Sequence, residues 1–287
     1  MLEEVRGYFG GLHGIVVDCT LGRGGHSQML LSTSPSVTII GLDLDKDNLE
    51  AAGQRLAQFG VRKRLEQANF AEISTVLGRL GVQKVDGILA DLGVSSNQIA
   101  NPDRGLSFEV DGPLDMRLDR RMKTTAADLV NSLGEGELSD LLYFQSQERH
   151  SRKIAKRICQ VRRQGRINST VMLARLVASA VGENPHPGRI HPATRTFMAL
   201  RMSVNRELSS LEGLLAGAAE VLAPGGRIAI ISFHSGEDRI VKDDFKARSA
   251  AGVYRLLTKK PIVAGDAERE TNPRSRSAKL RVAERQS

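Results

Sequence analysis

The sequence predicts an α/β fold: a doubly wound, mostly parallel sheet interrupted by an inserted helical domain. Three observations carry that prediction. Short β-branched runs occur at IVVD (15–18), VTIIGLD (37–43), VDGILAD (85–91) and GGRIAIISF (225–233), and segments of helical period separate them in the first third of the chain. The first three runs end on aspartates, Asp18, Asp43 and Asp91. Ligands of open α/β sheets bind at such carboxyl ends. Finally, from about 104 to 205 the strand pattern gives way to consecutive helical segments.

The first run leads into DCTLGRGGHS (18–27), a strand end followed by Gly22, Gly24 and Gly25 and then a helix. Glycines let the backbone approach a ligand closely, and the start of a helix presents free N–H groups. The spacing is not G-x-G-x-x-G, so the dinucleotide fingerprint is not met, and a tight turn without a ligand stays open. Asp43 closes the second run, where a carboxylate can accept both hydroxyls of a ribose. NAD enzymes share that feature, and Asp43, Asp45 and Asp47 can also simply begin a helix.

The run at 85–91 places Asp91 at the end of a central strand, ahead of a polar loop bearing Ser95, Ser96 and Gln98. A capped loop has the same composition. Helical segments are then expected at 124–131, 135–146, 148–164 and 169–181. In the third of these Arg149, Arg152, Lys153, Lys156 and Arg163 fall within roughly a 100° arc, opposite Ile154, Ile158 and Val161. One side packs and the other suits phosphates, although a solvated helix face is the commoner use of such a run. Arg189, Arg195, Arg201 and Arg206 add a second basic segment, and PRSRSAKLR (273–281) a third.

A helix is expected over 206–222, then a stop-and-turn at Pro224, Gly225 and Gly226 before the strand 227–233. ISFHSGEDRIVK (231–242) sets His234, Ser235, Glu237 and Asp238 just after that strand, at the rim of the same crevice. Ala278, Leu280 and Val282 alternate with polar residues, which predicts a final edge strand.

With 41 Lys+Arg against 33 Asp+Glu, the 287 residues carry a formal charge of +8 and a sequence pI near 9.8, which favours a polyanionic partner. The segment MLEEVRGYFGG is acidic and does not read as a signal peptide. No stretch approaches the roughly 18 uncharged apolar residues of a membrane span. Cys19 and Cys159 have no metal-ligand spacing, no metal site is expected, and a reducing, cytoplasmic location fits.

Taken together, seven ordered blocks resemble the ribosomal RNA small subunit methyltransferase H family. They are DCTLGRGGHS (18–27), GLDLDKD (41–47), DGILADLGVSSNQ (86–98), RGLSF with DGPLDMRLD (104–119), HPATRTFMALRMSVNREL (191–208), ISFHSGEDRIVK and NPRSRSAKLR (272–281). The resemblance implies a class I S-adenosylmethionine-dependent methyltransferase with a Rossmann-like sheet. In it 1–103 and 206–287 form the methyltransferase domain, and 104–205 an inserted helical domain that recognises RNA. It implies S-adenosyl-L-methionine as cofactor, held by Gly24, Gly25, His26, Asp43, Phe70, Asp91 and Gln98. The implied substrate is a decoding-centre cytidine of 16S rRNA, methylated on its exocyclic amino nitrogen, within the small ribosomal subunit.

Asp91, Ser95, Ser96 and His234 are the candidate acceptors for the amino protons, and Arg149, Arg152, Lys153, Lys156 and Arg163 the candidate RNA contacts. Three positions depart from the family pattern. Its members usually carry a segment with a His and a Pro-Val-Leu run before the Leu-Glu-Glu reached here at Leu2, so the N-terminus is expected to be short. Gly236 replaces a leucine and is expected to loosen its loop, and Leu106 replaces an aromatic. A dehydrogenase using the same strand-end acid, and a non-catalytic RNA-binding protein on the same scaffold, are the rival readings of the residues. A small-molecule or protein methyltransferase leaves the basic segments unexplained.

Overall fold

The structure, a computed structural model, describes residues 1–182 and 191–287. Its strands are β1 (Gly14–Asp18), β2 (Val37–Asp43), β3 (Lys63–Gln67), β4 (Val85–Asp91), β5 (Leu222–Ser232), β6 (Tyr254–Leu256), β7 (Ile262–Val263) and β8 (Lys279–Arg285). The helices are α1 (Leu2–Phe9), α2 (Gly25–Thr33), α3 (Lys46–Arg55), α4 (Ile73–Arg79), α5 (Ser96–Ala100), α6 (Ala126–Ser132) and α7 (Glu135–Ser146). They continue with α8 (Ser151–Val161), α9 (Thr170–Val181), α10 (Thr194–Val204), α11 (Glu207–Val221), α12 (Ser235–Ala250) and α13 (Asp266–Thr271).

The strands form one sheet in the order β3-β2-β1-β4-β5-β8-β6, with β7 pairing β8 off this path. From β3 to β5 all pairs are parallel, and β8 runs antiparallel to β5, β6 and β7. Both faces are covered, which is why the central parallel strands β1, β2 and β4 read as unbroken apolar runs. Successive side chains serve different cores: Val17, Ile40, Leu42, Ile88 and Ala90 pack in one cluster, Val16, Ile39 and Leu89 in the other. Truncating a central residue such as Leu89, fully buried, to alanine is expected to cost about 2–5 kcal/mol.

Two elements differ from the sequence expectation. β8 is not an edge strand, because it lies between β5 and β6. Its outer partners, β6 and β7, span three and two residues and are too short to leave a period in the sequence. β3, with the sequence KRLEQ, is a polar edge strand that a search for apolar runs passes over. The turn residues Pro224, Gly225 and Gly226 lie within the span of β5, beside a register irregularity between Val85 and Gly87 of β4.

The chain divides into a sheet unit, Met1–Gly93 with Leu208–Ser287, and a helical unit, Val94–Glu207. The first boundary therefore falls ten residues before the position 104 expected from sequence. The helical unit has its own core, in which Val130, Leu138, Leu142, Ile154, Ile158, Leu173 and Leu200 meet. Side chains fix its helix starts: Thr125 and Asp128 close a capping box on α6, and Ser169 Oγ accepts the Met172 amide of α9 at 3.1 Å. Among the described residues no helix is long and apolar enough to cross a membrane.

Candidate active site and cationic helix face

In the sheet unit the acids stand at the carboxyl ends of the central strands. Asp18 ends β1 and is almost wholly buried. Its carboxylate accepts the Ser27 hydroxyl at 2.7 Å and the Thr20 amide at 3.3 Å, so both ends of the glycine-rich turn are tied to the strand. Burial, the strongest influence, holds its pKa above the usual carboxylate value despite those bonds and the nearby His26. Between the tie points Gly24 adopts φ +77°, a left-handed conformation, and a side-chain carbon there would stand 3.3 Å from Leu56. Glycine is thus required for the turn that delivers the chain into α2. No side chain caps that helix, whose first residues are Gly25 and His26.

Asp43 ends β2 and reaches across to the same turn. Its Oδ2 accepts the Gly22 amide at 2.8 Å and the Asn48 side chain at 3.2 Å, and its Oδ1 accepts the Asp45 amide at 2.8 Å. Burial pushes its pKa up to about 6 against the effect of these donors. Asp45, not Asp43, caps α3, through the Asp47 amide at 3.1 Å. The alternative that the acids of this segment merely start a helix is therefore met by Asp45 and by Asp47 in its first turn. Phe70 opens a short 3-10 turn three residues past Gln67, which pairs with Asp43 across the β2–β3 register. It is partly buried against the core, at the strand end beside Asp43.

Asp91 ends β4, and its amide donates to Thr20 Oγ1 at 2.6 Å. One carboxylate oxygen, Oδ2, lies 3.5 Å from His26 Nε2. The other, Oδ1, and the second ring nitrogen of His26, Nδ1, are buried without a hydrogen-bond partner. Burial, the largest influence on His26, acts to lower its pKa, but the bond and charge of Asp91 and the charge of Asp18 outweigh it, and the net shift is upward. A cavity of about 540 Å³ opens on this pair, with Phe233, Glu268, Asn272 and Ser275 also in its wall.

His234, expected at the crevice rim, is the N-cap of α12. Its Nδ1 accepts the Gly236 amide at 3.2 Å and the Glu237 amide at 3.3 Å, while its Nε2 lies 3.2 Å from Glu237 Oε1. Glu237 Oε2 accepts the Phe233 and His234 amides in return. Nδ1 is thus engaged by the cap, while Nε2 is buried without a hydrogen-bond partner. Gly236 takes part in that cap through its own amide and is not a loosened position in this arrangement.

The sequence marks Asp18 as a strand end, but not its ties to Ser27 and Thr20. A buried strand-end Asp with a Ser in the first turn of the next helix is the only signal available, and it is weak without a contact. Ser95, Ser96 and Gln98 fall in the helical unit, where Ser95 stands at the N-cap position of α5, its hydroxyl buried without a partner and its amide donating to Gln98 Oε1 at 2.9 Å. Gln98 is buried there.

The helical unit also carries the basic residues of α8. Ser151, Ile154, Ala155, Ile158 and Cys159 are buried, whereas Arg152, Lys153, Lys156 and Arg157 are exposed, as are Arg149 before the helix and Arg163 after it. None of these six cations has an ion-pair partner among the described residues. The other two basic segments differ. Arg201 is bound by Glu207 through two contacts of 2.8 Å. Lys279 and Arg281 hold Asp238 at 3.2 and 2.7 Å. Arg195 is exposed, and Arg189 lies outside the described residues.

The sheet order extends the 3-2-1-4-5 path of a doubly wound fold with an antiparallel strand placed between β5 and β6. That order, with a glycine turn after β1 and acids ending β1, β2 and β4, defines a class I methyltransferase. A family model described as the MraW methylase family matches residues 2–286, and the chain belongs to that family. Its relatives include the ribosomal RNA small subunit methyltransferase H of Sorangium cellulosum, 50% identical over 272 residues, which cover 95% of this chain and 85% of that protein. The protein of the same name from Methylobacterium sp. (strain 4-46) is 45% identical over 303 residues, covering 99% and 89% respectively. That of Geobacter sulfurreducens is 48% identical over 289 residues, covering 95% and 93%.

Proposed function

We propose that this protein transfers a methyl group from S-adenosyl-L-methionine to the exocyclic amino nitrogen of a decoding-centre cytidine in 16S rRNA. Its substrate is the RNA within the small ribosomal subunit, and its place of action the cytoplasm. The observation that carries the reading is Asp91: it ends the central strand β4, one oxygen is paired with His26, the other is buried without a partner, and a cavity opens on it. The relatives' name supports ribosomal RNA as the substrate class.

The residues present fit the cofactor. A buried acceptor on Asp91 and a buried nitrogen on His26 lack partners, and the uncapped start of α2 offers amides at Gly25 and His26. Gly24, Gly25, His26, Asp43, Phe70 and Asp91 would hold it, and the family pattern adds Gln98. When bound, S-adenosylmethionine supplies an electrophilic methyl group on a sulfonium. The carboxylate of Asp43, preset by the Gly22 and Asp45 amides, suits a ribose diol.

A cytosine amino nitrogen is a poor nucleophile because its lone pair is delocalised into the ring. An acceptor on one amino proton localises that pair, and the same acceptor takes the proton as the new N–C bond forms. The Asp91 carboxylate is the first candidate for that role, with Ser95 and Ser96 as further candidates. His26, whose raised pKa favours the imidazolium, steadies the Asp91 carboxylate through Oδ2. His234 starts α12 through Nδ1, and its unpartnered Nε2 keeps it among the candidate acceptors. The target base must leave its stack to be reached, and the cations Arg149, Arg152, Lys153, Lys156 and Arg163 bind phosphates of the RNA that presents it.

Incubation with labelled S-adenosylmethionine and small ribosomal subunits lacking the modification, followed by nuclease digestion and mass spectrometry, tests the reading. Label on a cytosine amino group is expected. Label on another atom or nucleotide would overturn the target, and no label with cofactor bound and subunits intact would overturn the enzyme.

A further inference from the structure

Aromatic residues are scarce in this chain, with eight Phe, three Tyr and no Trp. Two of the eleven stand side by side on the surface at the last turn of α7. Tyr143 is 53% and Phe144 72% exposed, and their rings meet edge to face at 5.4 Å between centroids. No other aromatic is among the exposed large apolar side chains of the described residues. The buried side of α7 is complete without them, since Leu138, Ser139 and Leu142 face the core. An exposed ring pair on a helix that is already packed is therefore free for a partner.

The charges around the pair state which partner. The acids Glu135 and Glu137 lie towards the N-terminal end of α7, and Asp140 stands one turn before both rings. Ahead of them the chain turns through Gln147 to His150 into α8, and Ser139 and Ser151 meet at 3.2 Å between hydroxyls, so the two helices form a tight hairpin. The next charged side chains at the surface are the unpaired cations Arg149, Arg152, Lys153, Lys156 and Arg157. Arg149, five residues past Phe144, is within about 18 Å even for a fully extended chain. Exposed rings on one helix and a row of free cations on the next helix of the same hairpin are the two components of a single-strand nucleic-acid site: the cations follow the backbone, and the rings stack unpaired bases.

We infer that Tyr143 and Phe144 form a stacking platform for an unpaired base of the RNA whose phosphates α8 binds. The inference rests on the reading of α8 as a phosphate-binding face and adds a preference for single-stranded over duplex RNA. A protein partner or a second copy of the chain is a poor fit, because burying this patch would bring the adjoining free cations into the interface without counter-charges.

The test uses the full chain, a single-stranded oligoribonucleotide of about eight nucleotides and a blunt RNA duplex. Tyr143→Ala and Phe144→Ala are each expected to weaken single-strand binding about ten-fold, leaving the salt slope and duplex affinity unchanged. Phe144→Trp is expected to bind at least as tightly, and because the chain has no other indole, its fluorescence should be quenched by the single strand and not by the duplex. Unchanged single-strand affinity in both alanine variants, with the salt slope intact, would overturn the platform and leave the cationic face standing. A wild-type chain whose RNA affinity does not depend on salt would overturn both. Loss of self-association in the alanine variants, with RNA binding unaltered, would assign the patch to a second copy and overturn the inference.

Discussion

The two units of this protein treat charge in opposite ways. At the strand ends of the sheet unit, Asp18 is buried and Asp43 half-buried, and both are answered by specific donors at hydrogen-bond distance. Along α8 of the helical unit, the cations are exposed and have no partner among the described residues. The first arrangement fixes individual atoms and shifts their proton affinities, as chemistry on a bound molecule requires. The second creates a diffuse positive field that tolerates many positions of a polyanion. The difference teaches that one chain can separate the task of reacting from the task of holding, and each unit should fail in its own way when altered.

The largest effect is expected at Asp91. Asp91→Asn retains the shape and a neutral acceptor but removes the charge and the base, and loss of a general base lowers the chemical step by about 10²–10⁴-fold. Single-turnover methyl transfer should fall by that range, with affinity for the small subunit unchanged. A rate within a few-fold of wild type would move the proton acceptor elsewhere, to Ser95, Ser96, His234 or the RNA itself. The reverse pattern is expected when Arg152, Lys153, Lys156 and Arg157 are all changed to Gln. The slope of log affinity against log salt should then drop by about three, since each lost single-strand phosphate contact removes roughly 0.7. Cofactor binding should not move. An unaltered slope would return α8 to an ordinary solvated helix face.

That contrast also explains what could be read from the sequence. The strands β2 and β4 were legible to the residue, because strands covered on both faces are continuous apolar runs and an Asp at their ends interrupts them. The cationic side of α8 was legible because a helix with one packed face sorts its residues by period. By contrast β3 was hidden by its polar edge-strand composition, and the interior place of β8 depended on partners of two and three residues. His234 shows a different limit. A histidine among polar residues after a strand looks functional in sequence, and only the geometry of Nδ1 against the Gly236 and Glu237 amides assigns it to a helix cap. The basic segments at Arg201 and at Lys279 and Arg281 were equally opaque, because their counter-ions, Glu207 and Asp238, become visible only as contacts. Phe70 carried no signal of its own and rested on the family pattern.

A moderate effect of pH sharpens the comparison on the acidic side. Asp43 has a pKa of about 6 because it is buried, and hydroxyl donors from a ribose favour its ionised form. Cofactor affinity should therefore be full above pH 7 and weaken as the pH falls through 6, by about ten-fold at pH 5. Calorimetric titration at pH 5 and 8 measures it, and Asp43→Asn should bind weakly at both. A wild-type affinity that stays flat across this window would separate the ribose contact from Asp43.

The smallest effect concerns stability and has a definite sign. His26 has its pKa raised in the fold, so its contribution to stability is complete below its unfolded value of about 6.5 and is lost as the pH rises through the higher folded value. His26→Gln keeps a donor towards Asp91 and has no titratable charge. Wild type should therefore exceed the variant in melting temperature most at pH 6, by no more than about 4 °C for roughly 1 kcal/mol in a chain of this size, and least at pH 9. A gap that widens with pH would mean that the imidazole is held neutral, with burial overriding the two carboxylates. Asp91 would then have no cation beside it.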